Sequence, residues 1–155
     1  MKTLLMLCIC AIFSTASYGQ ADSLAFCINK SSVGLGGYDP VSYFKMDSPL
    51  QGTTQITADF LDVVYLFSSE ENKEQFLKSP EKYLPQYGGW CSMTLAMGRA
   101  TTPVYDNFLI EDKKLYLFER TLSVNGRELW LQAVDQNKQL AATNYSKYRT
   151  TGIIQ

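Results

Sequence analysis

The sequence predicts an α+β fold in which small antiparallel hairpins pack with several short helices in a single domain. Three observations carry that reading. Two stretches rich in β-branched and aromatic residues, 54–67 and 104–118, each hold an internal turn signal, as hairpins do. Helix start signals fall between and after them without the spacing of βαβ units. The chain after its N-terminal apolar run, Gln20 to Gln155, is 136 residues, which is one domain and enough to bury a core without disulfides or metals.

The first nineteen residues read as a signal peptide. Lys2 supplies a positive charge, and Leu4 to Phe13 is an unbroken apolar run of ten residues, too short to span a bilayer as a helix. Ser14 to Ser17 are small, and Ser17 with Gly19 fits cleavage before Gln20; Gly19 with Ala21 would fit a cut before Asp22. Lipidation is not expected, because bulky Leu7 and Ile9 precede Cys8 and Cys10. The expected location is secreted or periplasmic.

Residues 20–32 are polar and read as a flexible leader, with the domain over 33–150. Gly34, Gly36 and Gly37 allow tight backbone geometry before Tyr38-Asp39-Pro40. Asp39 is a good N-cap and Pro40 a good first helical residue, so a short helix is expected through about Lys45. Ile56, Ala58 and Phe60 alternate with Thr57 and Asp59 in a first strand; Asp62 marks a turn and 63–67 is its partner. Ser68 with Glu71 reads as a capping box opening a helix that Pro80 ends. Pro85, Gly88 and Gly89 give a tight bend before an apolar helix over 90–97. Strands at 104–110 and 115–118 flank the charged turn 111–114. Amphipathic helices are expected over 121–134 and 137–145. No internal repeat and no low-complexity stretch is legible.

Composition excludes several functions. The chain is 46% hydrophobic and 13% aromatic, which is globular, and its formal charge is −1. With no basic surplus, nucleic acid is not an expected partner, and no segment after residue 19 is apolar enough for a membrane span. The chain has no histidine. That removes Ser-His-Asp and Cys-His nucleophiles, His-ligated zinc and histidine general-base catalysis.

Three segments in order carry a family resemblance: Tyr38-Asp39-Pro40-Val41-Ser42-Tyr43-Phe44, then 67–76, then Pro80 through Tyr87-Gly88-Gly89-Trp90-Cys91. Together, over roughly residues 30 to 148, they resemble the exported single-domain members of the YHS domain family, related to the metal-binding TRASH domains. The resemblance implies thiolates at three positions. Here those positions hold Ser42, Ser68 and Asn72. Copper(I) and zinc want thiolate or imidazole, so the family's metal site is not expected to carry over. Ser68 as a helix cap gives its position a structural role.

Cys91 is the thiol left inside a family-like motif. It reads either as a metal ligand or redox thiol beside glycines that leave room for a small ligand, or as a buried cysteine. With Cys8 and Cys10 removed, Cys27 and Cys91 could form one disulfide, worth about 4 kcal/mol in the chain-entropy model, or remain free. Tyr38, Tyr43 and Tyr87 could present hydroxyls to a polar ligand, or serve as core aromatics. Asp39 reads as a cap or a catalytic carboxylate.

The resulting expectation is a non-catalytic exported binding domain, for a small molecule or a metal complex. Its candidate site is Tyr38, Asp39, Tyr43, Tyr87 and Cys91, with no cofactor expected and copper or zinc held open only at Cys91. The alternatives are an interaction module with an envelope protein as partner, and a redox protein using Cys91.

Overall fold

The computed structural model describes residues 24–154. The expected signal peptide, 1–19, and residues 20–23 lie outside the described residues. Among the described residues are two separate two-stranded antiparallel sheets and four α-helices, a small α+β fold. The first sheet pairs β1 (Thr53–Phe60) with β2 (Val63–Phe67), followed by α1 (Glu70–Lys78). α2 (Ser92–Ala96) precedes the second sheet, β3 (Val104–Glu111) with β4 (Lys114–Phe118). α3 (Gly126–Leu131) and α4 (Val134–Thr151) close the chain.

The hairpins form because their side chains alternate. Val63, Tyr65 and Phe67 of β2 point inward and are at most 2% exposed. β4 is buried throughout from Leu115 to Phe118, because it serves two cores. Leu115 and Leu117 join Tyr65, Phe67, Phe76 and Tyr83, whereas Tyr116 and Phe118 join Leu95, Trp130 and Ala141. The second hairpin turns on two residues, Asp112 and Lys113, both left-handed (φ 50° and 61°). Glu111 and Lys114, expected in the turn, instead pair across the strands.

Contrary to the reading of the sequence, the fold contains an internal repeat. Leu35, Gly36 and Gly37 have φ of 54°, 57° and 86°; Tyr87, Gly88 and Gly89 have 54°, 63° and 88°. The amide of Tyr38 bonds the Leu35 carbonyl, and that of Trp90 bonds Tyr87. Val33 bridges Val64 in parallel, and Pro85 bridges Leu115. Asp39 N–H donates to the Leu50 carbonyl at 2.9 Å, and Cys91 N–H to Thr101 at 3.0 Å. Both hairpins have strands of eight and five residues, a two-residue left-handed turn, and an irregularity at the same place, Thr53/Thr57 and Val104/Phe108. Equivalent residues lie 52 apart before each loop (Asp39 to Cys91) and 51 apart in the hairpins (Thr53 to Val104).

The halves part after their hairpins. α1 starts at Glu70, close behind Phe67, with Ser69 as its N-cap. α3 starts only at Gly126, well beyond Phe118, with Asn125 as its N-cap. The expected helix over 121–134 therefore begins late. Gly126 sits in its first turn, where its missing side chain matters: a Cβ there would lie 2.9 Å from the Glu119 carbonyl oxygen. The expected last helix extends in both directions to Val134–Thr151, stopped by left-handed Gly152. The helix expected from Asp39 to Lys45 is a single 3₁₀ turn, Ser42–Phe44, and that expected over 90–97 shortens to α2.

The expected leader is packed over its described part. Ala25 and Cys27 are buried, and Phe26 and Ile28 pack on the first core. Cys27 N–H donates to the Gly88 carbonyl at 2.9 Å, Tyr145 Oη to Ala25 O at 2.7 Å, and Trp90 Nε1 to Leu24 O at 3.1 Å.

Candidate functional site

In the first half, every position singled out by its lost thiolate converges on one carboxylate. Asp39 is fully buried. Its Oδ1 accepts from the amides of Val41 (2.9 Å) and Ser42 (3.3 Å). Its Oδ2 accepts from Ser68 N–H (2.9 Å), Ser68 Oγ (2.6 Å) and Asn72 Nδ2 (2.7 Å). Ser42 Oγ donates to the Asp39 carbonyl at 2.7 Å and accepts from Leu50 N–H at 2.9 Å. Asn72 Oδ1 in turn accepts from Lys45 Nζ at 2.7 Å, so its amide links a buried anion to a cation at the surface.

This cluster corrects two expectations. Ser68 is not the cap of α1; Ser69 is, accepting from Asn72 N–H at 3.2 Å, while Ser68 points at Asp39. Asp39 does cap the Ser42–Phe44 turn, but it is also the hub of the first half. Five donors on a sealed carboxylate leave it no free face for a substrate, and hydrogen bonds to a charged group are worth about 1.5–3 kcal/mol each. Serine hydroxyls and a carboxamide aimed at a carboxylate are a poor set for copper(I) or zinc. Among the described residues no group of three or more Cys, Asp or Glu gathers at metal-ligating distance.

Cys91 occupies the Asp39 position of the second half. Its Sγ accepts from Thr94 N–H (3.5 Å) and Glu119 N–H (3.1 Å), matching the Ser42 and Ser68 amides on Asp39. The sulfur is fully buried. The Cys27–Cys91 bridge considered from the sequence is not formed; both thiols are free. Each has its own partners, Cys27 Sγ lying 3.8 Å from Thr102 Oγ1 and 3.9 Å from Tyr105 Oη. Burial pushes the Cys27 thiol up. The space beside the glycines is filled by the chain itself: a Cβ on Gly88 would sit 1.8 Å from the Ala25 carbonyl oxygen.

The tyrosines divide between the cores. Tyr43 donates to the Tyr105 carbonyl at 2.8 Å and stacks edge-on with Phe108; burial holds its phenol well above the usual range. Tyr38 lies against Tyr43 and Tyr105. Tyr87 belongs to the other core, against Tyr116 and Tyr145, and burial followed by the nearby Tyr116 pushes it up to about 12. Tyr38, Asp39, Tyr43, Tyr87 and Cys91 therefore do not line one pocket.

The cavity of the second half lies where α1 closes the first. It holds about 430 Å³. Met93, Met97, Val124 and Leu129 form its apolar wall, and Arg99 and Thr121 also border it. Its polar side is a chain of hydrogen bonds. Thr94 Oγ1 and Thr101 Oγ1 are 2.8 Å apart, and Thr101 Oγ1 donates to Glu119 Oε2 at 3.0 Å. Glu119 immediately follows β4, as Ser68 follows β2. A wider groove of about 490 Å³ runs between 43–47 and β3, but its two cations are engaged, Lys45 on Asn72 and Arg127 on the Phe108 carbonyl.

None of the cleft residues was singled out from the sequence. The available signal was the parallel between Leu35-Gly36-Gly37-Tyr38-Asp39 and Tyr87-Gly88-Gly89-Trp90-Cys91. No family model, curated protein or solved structure matches the chain. Among the described residues no helix is long and apolar enough to cross a membrane.

Proposed function

We propose that this chain is a non-catalytic, exported binding domain of YHS type, and that its ligand is a small molecule held in the cleft of the second half. The observation that carries the reading is the cleft: about 430 Å³ with an apolar wall and the Thr94–Thr101–Glu119 hydrogen-bond chain along one side. Ligand sites have this build, a mostly apolar concavity with a few placed polar groups. The reading is favoured over thiol chemistry because the Cys91 sulfur is sealed behind the cleft and faces backbone amides.

Binding of the dye anilinonaphthalene sulfonate tests it. Val124 stands half exposed at the wall, so Val124→Trp fills the cleft without touching either core. Saturable binding of one dye per chain, lost in Val124→Trp while the urea midpoint holds, is expected. Undiminished binding in that variant would sink the assignment.

A further inference from the structure

We infer that the cleft takes a small molecule bearing a primary carboxamide on an apolar tail. The inference rests on the cleft being the ligand site, and the amide that the first half holds between an anion and a cation indicates the chemistry.

The first half carries its own occupant at the equivalent place. There, the carboxamide of Asn72 enters from the first turn of α1. Its Nδ2 donates to Asp39 Oδ2 at 2.7 Å and lies 3.3 Å from Ser68 Oγ, and its Oδ1 accepts from Lys45 Nζ at 2.7 Å. The group is 93% buried by its neighbours, Asn72 being 7% exposed. An amide suits this place because it is donor and acceptor at once, between an anion and a cation.

The second half lacks the occupant, and its cleft border again offers an anion and a cation, Glu119 and Arg99, at other positions of the repeat. Glu119 stands where Ser68 stands, its amide on Cys91 as that of Ser68 is on Asp39. Its carboxylate supplies the anionic acceptor that Asp39 supplies in the first half. The Lys45 equivalent at the 52-residue offset is Met97, and the cation at the cleft border is Arg99, two residues further on. The helix that would bring an Asn72 equivalent starts too late to reach, because residues 119–125 intervene as a loop closed by the Arg120–Asn125 bridge. A ligand amide placed there donates to Glu119 and accepts from Arg99. Its tail lies against Met93, Met97, Val124 and Leu129. That wall is apolar, which favours a hydrocarbon tail over a peptide.

Methyl NMR of the protein labelled at methionine reads the site directly. Met93 and Met97 line the cleft, whereas Met46 borders the other groove and serves as the internal control. Hexanamide, hexanol, hexanoate, hexylamine and a blocked glutamine are titrated in turn. Hexanamide is expected to shift Met93 and Met97 but not Met46, and to bind about tenfold more tightly than the other four, the worth of one hydrogen bond to a charged partner. Arg99→Met should lower hexanamide affinity to that of hexanol and leave hexanol unchanged. Equal binding of hexanol or hexanoate would overturn the amide class and leave the cleft as a ligand site. Tighter hexylamine would make it a cation site, and tighter blocked glutamine would make the amide a peptide side chain; both overturn the inference. If no probe moves Met93 or Met97, the cleft reading and the inference fall together.

Discussion

Asp39→Asn keeps the shape of the hub and removes its charge and one acceptor. In the native protein five donors meet the two carboxylate oxygens, two at Oδ1 and three at Oδ2. Asparagine offers one oxygen and one NH₂ group. With its oxygen at the Oδ1 place, the NH₂ confronts Ser68 N–H, Ser68 Oγ and Asn72 Nδ2. The serine hydroxyl can turn to accept. Asn72 can flip, but its own NH₂ then faces Lys45 Nζ. The Ser68 amide can do neither. With the oxygen at the Oδ2 place, the amides of Val41 and Ser42 are stranded instead. Either way at least two donors lose a partner in or beside a sealed site, at about 1–3 kcal/mol each. A loss of about 3–5 kcal/mol is therefore expected, a large share of the 5–15 kcal/mol of an ordinary domain. Urea unfolding at neutral pH, followed by the fluorescence of Trp90 and Trp130, measures it as a fall in midpoint at constant slope. A loss under about 1 kcal/mol would refute the hub, because no arrangement of an asparagine satisfies these donors so cheaply.

Two further outcomes follow from the packing. Gly88→Ala places a methyl group 1.8 Å from the Ala25 carbonyl oxygen at a φ of +63°, so the segment 24–27 should lift away, with a stability loss of at least about 2 kcal/mol. Hydrogen exchange at Cys27 N–H, which donates to the Gly88 carbonyl in the native protein, reads the release, and native-like protection there would contradict it. Stability should also fall at alkaline pH. Burial raises Cys27 above its ordinary 9.0 and Tyr87 from 10.0 to about 12, and it raises Tyr43, Tyr65 and Tyr105 in the same direction. Groups raised on folding stabilise the fold fully below their unfolded values and lose that contribution as pH rises through the folded ones. Urea midpoints should thus hold from neutral pH to about 9 and decline toward 12; a level midpoint across that range would contradict the buried phenols.

The strands were legible because alternation and a turn residue sufficed: Ile56, Ala58 and Phe60 against Thr57 and Asp59, then Asp62. The helix ends were less so. Ser68 and Ser69 are equally good caps by composition, and only the pull of a buried carboxylate twenty-nine residues away decides between them. The polar leader was misjudged because its anchoring bonds run through backbone carbonyls of Leu24 and Ala25, which no side-chain pattern reveals. The repeat escaped notice because it is kept in backbone conformation. Each loop has three successive left-handed residues, of which the last two are glycines, while Leu35 matches Tyr87 and Asp39 matches Cys91. Of the candidate site, the sequence singled out Asp39 as a cap or ligand residue and Ser42, Ser68 and Asn72 as lost thiolate positions without bringing them together, and the cleft depends on where α3 begins, a matter of five extra loop residues.

The exchange of Asp39 for Cys91 between the halves explains why one is closed and the other open. A buried carboxylate is costly unless several donors meet it, and backbone amides alone supply three of the five here. The rest come from Ser68 Oγ and Asn72, so α1 has to start at once and dock tightly. A buried cysteine behaves as a small hydrophobe with a weakly accepting sulfur and makes no such demand. Cys91 is served by two backbone amides, both set by α2 and β4 without help from α3. The segment after β4 is thereby released from the core of its half, and the loop 119–125 can stand away and leave the cleft. On the proposed reading of the cleft, the thiol serves binding without touching the ligand: it is the residue that allows the second half to do without an Asn72 of its own.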